Sequence, residues 1–510
     1  MFTIYKYSHF FKIQPKDDTQ KEICRQFTIP LVQMGTVYQQ GRYTQVPVKV
    51  FAAATKDRKE WRFHITLLES FLDTLRGKAI SEDKIEIIEM GFEPSINPQV
   101  THTIKPGWTP RPVQLPVLDY LLHQKVKANH LVTLSTGVGK SLCSMFAAAQ
   151  MGKRVLYLLR PAFMDKWFDD LHKTYELTKE DIISVSGSSQ LMGLLALAKN
   201  HPDKVPKIII LSNKTYQNYL KAYEKDGTAI LEQGYACLPD EMYEHLGVGI
   251  RFIDEVHLDF HLNFKADLYT NTEHASAFSA SLIDSQPFIV RMYNIAYPVI
   301  DRYKAPPPKK YIEARGVLYK TRDNLTPKIS WAGRKEYSHG AYEQWILKSP
   351  TLTDNYLNMI NDIVQGEYIA NYREGDRLLI FCYSIEMATV LTEYFKEQYT
   401  DKTVERYVEE DAFANVMEPD IRISTVLSAG TGIDIKKLKV AILTTAISSE
   451  KSNIQALGRL RELENDDRAP VFFWLTNEKI DKHMRYHESK KQLFADRTLS
   501  IGECYYDKPI

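Results

Sequence analysis

The sequence predicts an α/β protein of two parallel-sheet domains in tandem, preceded by a small α+β module. Short apolar runs alternate with helical stretches from about residue 113 to 300, and the alternation resumes beyond residue 370. The first hundred residues follow another pattern, in which aromatic and basic side chains interleave. A strand buried on both faces needs no polar alternation, so apolar runs separated by helices argue for a parallel sheet covered on both sides.

Residues 1–105 form the expected N-terminal accessory module. It has strands at Val46 to Ala53, Trp61 to Ile65 and Lys84 to Ile88, and a helix whose apolar stripe runs through Leu67, Leu68, Phe71, Leu72 and Leu75. The turn-rich stretch Pro106-Gly107-Trp108-Thr109-Pro110-Arg111-Pro112 marks a boundary. The first parallel-sheet domain spans 106–300, with strands at Leu131 to Leu134, Val155 to Leu159, Ile208 to Leu211, Ile250 to Ile253 and Ala277 to Ser279. Lys304 to Lys310, with three consecutive prolines, reads either as a stiff linker or as an exposed loop within one domain. The second domain, 301–480, takes strands at Arg377 to Phe381, Ile421 to Ser424, Val440 to Thr444 and Val471 to Leu475. Residues 481–510 are expected to be a helix and tail packed on that domain.

Composition narrows the function classes. The chain has 510 residues, 44% hydrophobic and 25% charged, the balance of an ordinary globular protein with several cores. A formal net charge of +1 excludes a strongly basic chain and leaves room for a local basic groove. Five scattered cysteines with no paired spacing point to neither a disulfide framework nor a zinc site, which suits a reducing compartment. No apolar run is long enough to span a bilayer and no signal peptide is apparent, so a cytoplasmic protein without a membrane partner is expected.

The stretch Ser135-Thr136-Gly137-Val138-Gly139-Lys140-Ser141 lies between an apolar strand and an apolar helical pattern, the context of a phosphate-binding loop. Amides of Thr136, Gly137, Val138 and Gly139 would cradle phosphate oxygens, Lys140 would neutralise the outer phosphates, and Ser141 would offer its hydroxyl to Mg2+. Leu134 stands where the commonest pattern has its first glycine. Such sites need acids at the end of a neighbouring strand. Asp254 would hold the metal and Glu255 would act as general base on water.

These residues resemble helicases and translocases of superfamily 2, whose second motif reads Asp-Glu-x-His, as in Asp254-Glu255-Val256-His257. Further motifs follow in the family's order from residue 108 to about 480. The resemblance implies two RecA-like domains, with ATP and Mg2+ as cofactors. His257 and Ser279-Ala280-Ser281 would couple hydrolysis to movement. Ser424-Thr425 through Gly430-Thr431-Gly432-Ile433-Asp434 resembles the fifth motif, with Gly432 and Asp434 toward the nucleotide. Gln455-Ala456-Leu457-Gly458-Arg459-Leu460-Arg461 resembles the sixth, whose arginines reach the γ-phosphate. Glu462 occupies the usual place of the second arginine, which makes Arg459 the leading finger candidate and Arg461 its displaced partner. Gln114 would read the adenine edge with one donor and one acceptor; Trp108 would stack on the base or pack the boundary. Arg160-Pro161, Thr215-Tyr216, Tyr383-Ser384 and Ser424-Thr425 occupy places where family members grip a strand's phosphates.

Within the superfamily the chain is most similar to the UvsW-type phage helicases. That resemblance implies an ATP-dependent DNA helicase on forked or branched DNA, active in branch migration, fork reversal or R-loop removal during recombination, repair or replication. It would act in the host cytoplasm, with DNA or an RNA-DNA hybrid as partner and a single-strand-binding protein as a protein partner. The N-terminal Tyr5, Lys6, Tyr7, His9, Phe10, Phe11 and Lys12 would stack on or hold the polymer, the other reading of this module being a structural cap. Residues 1–105 carry 15 Lys/Arg against 12 Asp/Glu, a slight excess. The alternatives are a duplex translocase that does not part strands, a nucleotide-switched scaffold, and an RNA substrate.

Overall fold

The computed structural model describes residues 1–510 except 40–41, 92–97, 124–128, 135–137, 280–285, 304, 306–308, 333–335, 409–410, 412–414, 416–417, 430–434 and 464–465. The chain forms two compact units, Met1–Ala305 and Pro306–Ile510. Most of the proline stretch after Tyr303 lies outside the described residues.

The first unit opens with β1 (Phe2–Lys6), β2 (Phe10–Ile13), β3 (Val32–Gln39), β4 (Arg42–Val50), β5 (Ala53–Ala54), β6 (Trp61–His64) and β7 (Ile85–Glu89). Five of these make a sheet in the order β5-β6-β2-β1-β7, while β3 and β4 pair only with each other. Helix Leu68–Gly77 buries Leu68, Phe71, Leu72 and Leu75, the one-faced spacing expected of an amphipathic helix. Phe71 meets the rings of Phe2 and Phe11 from this sheet.

There follow β8 (Asn129–Thr133), β9 (Val155–Leu159), β10 (Ile182–Val185), β11 (Ile208–Ser212), β12 (Ile250–Ile253) and β13 (His274–Ser279). They form a six-stranded sheet, all parallel, ordered β10-β11-β9-β12-β13-β8. Every residue of β9, β11 and β12 is buried. On one face Val132, Val155, Tyr157, Phe252 and Phe278 pack against the helices. On the other face Leu131, Leu156 and Leu158 belong to the same core as Phe2, Phe11, Phe63 and Phe71 of the N-terminal sheet. The N-terminal module is thus packed into the first parallel-sheet unit.

This shared core corrects one expectation. Tyr7, His9, Phe10 and Phe11 are buried and offer no stacking surface. Tyr7 and Phe10 stack on each other at 4.2 Å. Arg62 of β6 is 1% exposed, and its guanidinium lies over the rings of Phe10, Tyr223 and Tyr269. It pairs with Asp240 at 3.1 Å, which also takes Lys12 at 3.0 Å. Burial alone would raise the Asp240 carboxyl, but Arg62 and Lys12 bring it down to about 2.

The second unit is one seven-stranded, wholly parallel sheet. It comprises β14 (Glu313–Tyr319), β15 (Arg377–Cys382), β16 (Val404–Tyr407), β17 (Ile421–Thr425), β18 (Leu438–Leu443), β19 (Val471–Asn477) and β20 (Ser500–Tyr505), ordered β16-β17-β15-β18-β19-β14-β20. Val317, Leu378 and Ile380 face one core layer, and Ala314, Leu379 and Phe381 the other. Helix Asp481–Phe494 packs on this sheet, and the tail after it supplies the edge strand β20. The fold is therefore α/β, two tandem RecA-like parallel-sheet domains with a small α+β N-terminal module.

Candidate functional site

Strand order brings the chemistry together. β13 lies between β8 and β12, with Ser279 level with Thr133 and Ala277 level with Ile253. Neighbouring strands lie about 4.8 Å apart, so the ends of β8 and β12 are about 10 Å from each other. A lysine side chain can cross that gap. Lys140, the first residue of helix Lys140–Met151, places Nζ 2.7 Å from Glu255 Oε1. One of its three N–H groups is used in that bond.

Ser135, Thr136, Gly137 and Ser281 lie outside the described residues. The rest of the loop is built around Gly139, whose φ of +88° belongs to the left-handed region. A Cβ on Gly139 would stand 2.5 Å from Gln114 Nε2 and 3.2 Å from an Arg111 guanidinium nitrogen. Gln114 donates to the Val138 carbonyl at 2.8 Å, as does Arg111 at 2.6 Å, and Gln114 Oε1 accepts from the Arg111 amide at 2.9 Å. Gln114 is buried and braces the loop through both ends of its amide. Ser141, in the first helical turn, has its carbonyl capped by the Ser144 hydroxyl at 2.7 Å.

Beyond β12, Asp254 Oδ1 accepts from the Glu255 amide at 2.9 Å, and Oδ2 accepts from the Trp167 indole N–H at 3.0 Å. Burial, then the Glu255 carboxylate, push the Asp254 carboxyl above its ordinary range; Lys140 and Trp167 pull the other way. Glu255 has φ +46°, unusual for a side-chain-bearing residue, and this turn carries its carboxylate to Lys140. Its second oxygen lies 3.3 Å from His257 Nδ1, which is 2.6 Å from Ser279 Oγ. The loop lysine, the two acids, the histidine and the end of β13 are joined in one chain of contacts.

The donor set fits a metal-bound polyphosphate. Lys140 keeps two N–H groups for phosphate oxygens, and two adjacent carboxylates face the same strand ends. Lys140, Ser141, Val138 and Gly139 would hold the phosphates, and Ser141 with Asp254 the cation, which would stabilise charge on the transferred phosphoryl group.

The expected polymer-gripping residues divide. Arg160 pairs with Asp259 at 2.9 Å, and Asp259 also accepts from Asn213 at 3.1 Å. Pro161, which starts helix Pro161–Thr174, is exposed, and Tyr383 is 52% exposed. Tyr216 and Ser424, by contrast, are fully buried and present nothing to a polymer. Ser424 donates to the Tyr407 carbonyl at 2.6 Å. Thr215 is 4% exposed, and its hydroxyl accepts from the Gly187 amide at 2.7 Å. Thr425 is 7% exposed and accepts from the Ser428 amide. Ser384 caps helix Ile385–Gln398, and its own amide and hydroxyl donate to the buried Glu343 carboxylate at 2.8 and 2.7 Å. The Tyr383 amide donates there too, at 2.8 Å. An internal carboxylate thus holds the donors assigned to a phosphate.

Gly432 and Asp434 lie outside the described residues. Gln455 is half-buried in helix Glu450–Leu457, and its carbonyl accepts from Arg459 Nε at 3.3 Å. Arg459 is 3% exposed; Arg461 is half-buried and donates to the Gly458 carbonyl. Trp108 is 38% exposed and donates to the Lys173 carbonyl at 3.0 Å. Trp167, which the sequence grouped with Arg160-Pro161 as a polymer contact, instead donates to Asp254, and Arg111, expected only as part of the element carrying Gln114, braces Val138; Asp259 as the partner of Arg160 was missed.

No family model matches the chain, and no curated protein matches it. Among solved structures it is similar to a variant of S. cerevisiae Dbp5 bound to RNA and ADP BeF3, at 12% identity and TM-score 0.49, over 78% of this chain and 90% of that one. Unsubstituted S. cerevisiae Dbp5 bound to RNA and ADP BeF3 gives 13% identity and TM-score 0.47 over the same shares. T4 UvsW is similar over 99% of both chains, at 12% identity and TM-score 0.33. Among the described residues no helix is long and apolar enough to cross a membrane.

Proposed function

We propose that the chain is an ATP-dependent nucleic-acid motor: a DNA helicase acting on forked or branched DNA. The observation that supports it best is the contact chain from Lys140 through Glu255 and His257 to Ser279, which ties a hydrolytic pair to the end of a sheet strand. A simple phosphate-binding switch needs no histidine bridge to a neighbouring strand, whereas a motor must pass the state of the nucleotide on to the rest of the molecule.

In this reading Lys140 neutralises the outer phosphates, and Asp254 with Ser141 holds Mg2+. Glu255 takes the proton from the attacking water. Arg459, with Arg461, supplies positive charge to the transferred phosphoryl group. Gln114 holds the loop through Val138 and offers its remaining amide N–H to the adenine.

The test is ATP hydrolysis measured side by side with single-stranded DNA, duplex, fork, four-way junction and RNA-DNA hybrid. The expected result is severalfold stimulation, strongest with the fork or junction, together with strand displacement on a forked duplex. Lys140→Ala should abolish turnover, and Glu255→Gln should lower kcat by about 10²-fold or more while ATP still binds. A rate indifferent to every nucleic acid would remove the motor reading. Stimulation by RNA alone would move the substrate from DNA to RNA.

A further inference from the structure

Helix Asn213–Asp226, which follows β11, has one buried face and one exposed face. Tyr216, Tyr219, Leu220 and Tyr223 are buried. Lys214, Asn218, Lys221 and Lys225 are exposed, and their spacings of four, three and four residues set them in one line along the helix. From Lys214 to Lys225 that line spans 225 − 214 = 11 residues, about 16 Å at the rise of an α-helix.

The two acids of the helix leave most of this charge uncompensated. Glu224 is half-buried and takes Lys265 at 2.7 Å and Tyr269 at 3.1 Å. Asp226 is half-buried, accepts from Gln233 at 3.1 Å and lies 3.7 Å from Lys225. Among the described residues Lys214 and Lys221 pair with no carboxylate. The first turn holds no acid, and Lys214 stands where the helix dipole disfavours a cation. Its charge does not stabilise the helix; it adds to the positive end of the dipole.

Both ends of the line meet further cations. Asn213, the first residue of the helix, donates to Asp259, which pairs with Arg160. At the other end the Lys56 amide donates to the Glu224 carbonyl at 2.7 Å. The turn it belongs to exposes Lys56 and Arg58, neither of them paired with a described carboxylate, while Lys59 takes Asp57 at 3.1 Å.

We infer that the exposed face of helix Asn213–Asp226 holds the phosphate backbone of a DNA duplex, with Lys214, Lys221 and Lys225 on its phosphates and Lys56 and Arg58 extending the contact. Phosphates of one strand advance 3.4 Å per step along the duplex axis, so the line matches about five steps. The face offers no ring to a base, because the three tyrosines of the helix are buried beneath it. A grip without stacking fits a duplex, whose bases are enclosed, better than a single strand, which is held by stacking as well. This inference rests on the reading of the chain as a DNA motor and gives the duplex arm of its fork a place outside the nucleotide site.

The test uses the full chain and a fluorescently labelled DNA duplex, read by anisotropy, with an oligothymidylate and an RNA duplex in parallel. Lys214→Gln with Lys221→Gln and Lys225→Gln should weaken duplex binding roughly tenfold or more at low salt. The same variant should reduce the slope of log affinity against log salt by about 2.7, the value for three phosphates on B-DNA. Arginine at the same three positions should retain both, and Lys56→Gln with Arg58→Gln should reduce the slope by about 1.8. Lys179→Gln with Lys199→Gln and Lys204→Gln, exposed lysines of the same unit, make an equal change of net charge and should leave binding unchanged. A thermal midpoint equal to the parent's reports that each variant is folded. Azidophenylalanine in place of Asn218 should crosslink to the duplex on irradiation. Unchanged duplex affinity in the helix variant, or an equal loss in the control variant, with DNA-stimulated hydrolysis intact in the parent, would overturn the assignment of this face and leave the motor standing. An equal loss of oligothymidylate binding would overturn the duplex in favour of a single strand. Tighter binding of the RNA duplex, lost in the same variant, would overturn the DNA commitment in favour of RNA. A parent protein that binds no nucleic acid would overturn both readings together.

Discussion

Trp167 donates to Asp254 at 3.0 Å, and that one bond makes the site's acid response testable. Asp254 already titrates above the ordinary carboxylate range, through burial first and then the Glu255 charge. An Asp254 that must be ionised to hold a cation loses function as pH falls through its own titration, so hydrolysis should drop on the acid side earlier than an exposed aspartate would dictate. Trp167→Phe removes a donor that favours the charged form. The acid limb of kcat/KM against pH should therefore move to higher pH in that variant, and an unmoved limb would remove Asp254 as the titrating group. The meeting of Lys140, Asp254 and Glu255 was legible in the sequence because the chemistry expected of them requires fixed types at fixed places. The internal partners of Ser384, Thr215 and Thr425 were not legible, for the opposite reason. A serine or threonine after a strand serves equally as a helix cap or a phosphate contact, and only the partner atom distinguishes them.

Among the elements, helix Asp481–Phe494 carries an internal conflict that its sequence conceals. It is rich in Lys and His, yet His483, His487 and Lys490 are buried. Lys490 is 2% exposed, with the Ile447 carbonyl 3.4 Å from its nitrogen, and burial lowers its pKa to about 7. In the unfolded chain it returns to about 10.5. Below pH 7 both states hold the proton and the folded state bears the whole cost of a buried ammonium. Between about 7 and 10.5 the unfolded state binds more protons, so this group's penalty shrinks as pH rises. Lys490→Met should therefore stabilise the protein by about 2 kcal/mol or more at pH 7 and by progressively less toward pH 10. The difference between parent and variant urea midpoints checks it. Strand legibility followed burial in the same way. The buried β9, β11, β12 and β15, apolar apart from Ser212, Arg251 and Arg377, were found, whereas the edge strands β16 and β20, half in water, read as Val-Glu-Arg-Tyr and Ser-Ile-Gly-Glu-Cys-Tyr and gave no apolar run.

At the scale of the whole molecule, the N-terminal module shares its core with the first parallel sheet. Phe2, Phe11, Phe63 and Phe71 lie in one cluster with Leu131, Leu156 and Leu158, and Arg62 and Lys12 are both paired with Asp240. A chain starting at residue 106 would expose that apolar face and strand Asp240 without its cations. It should be recovered in the insoluble fraction, whereas Met1–Ala305 expressed alone should be soluble with a native near-ultraviolet circular dichroism spectrum. The sequence suggested a boundary at its turn-rich stretch, whereas Met1–Ala305 form one compact unit, and the module's attachment was not legible. Aromatic residues that pack inward and aromatic residues that stack on a ligand have the same composition.

The position of β8 has a kinetic consequence. It is one of the two edge strands of its sheet, and its strand neighbour is β13, with Leu131 opposite Ala277. The pairing closes a loop of 277 − 131 = 146 residues, while β9, β10, β11 and β12 assemble around shorter separations. Distant pairings form late because their chain entropy must be overcome before they are rewarded. As the chain folds, the strand that launches the phosphate loop should be among the last to dock, so nucleotide capture would report completion of the domain.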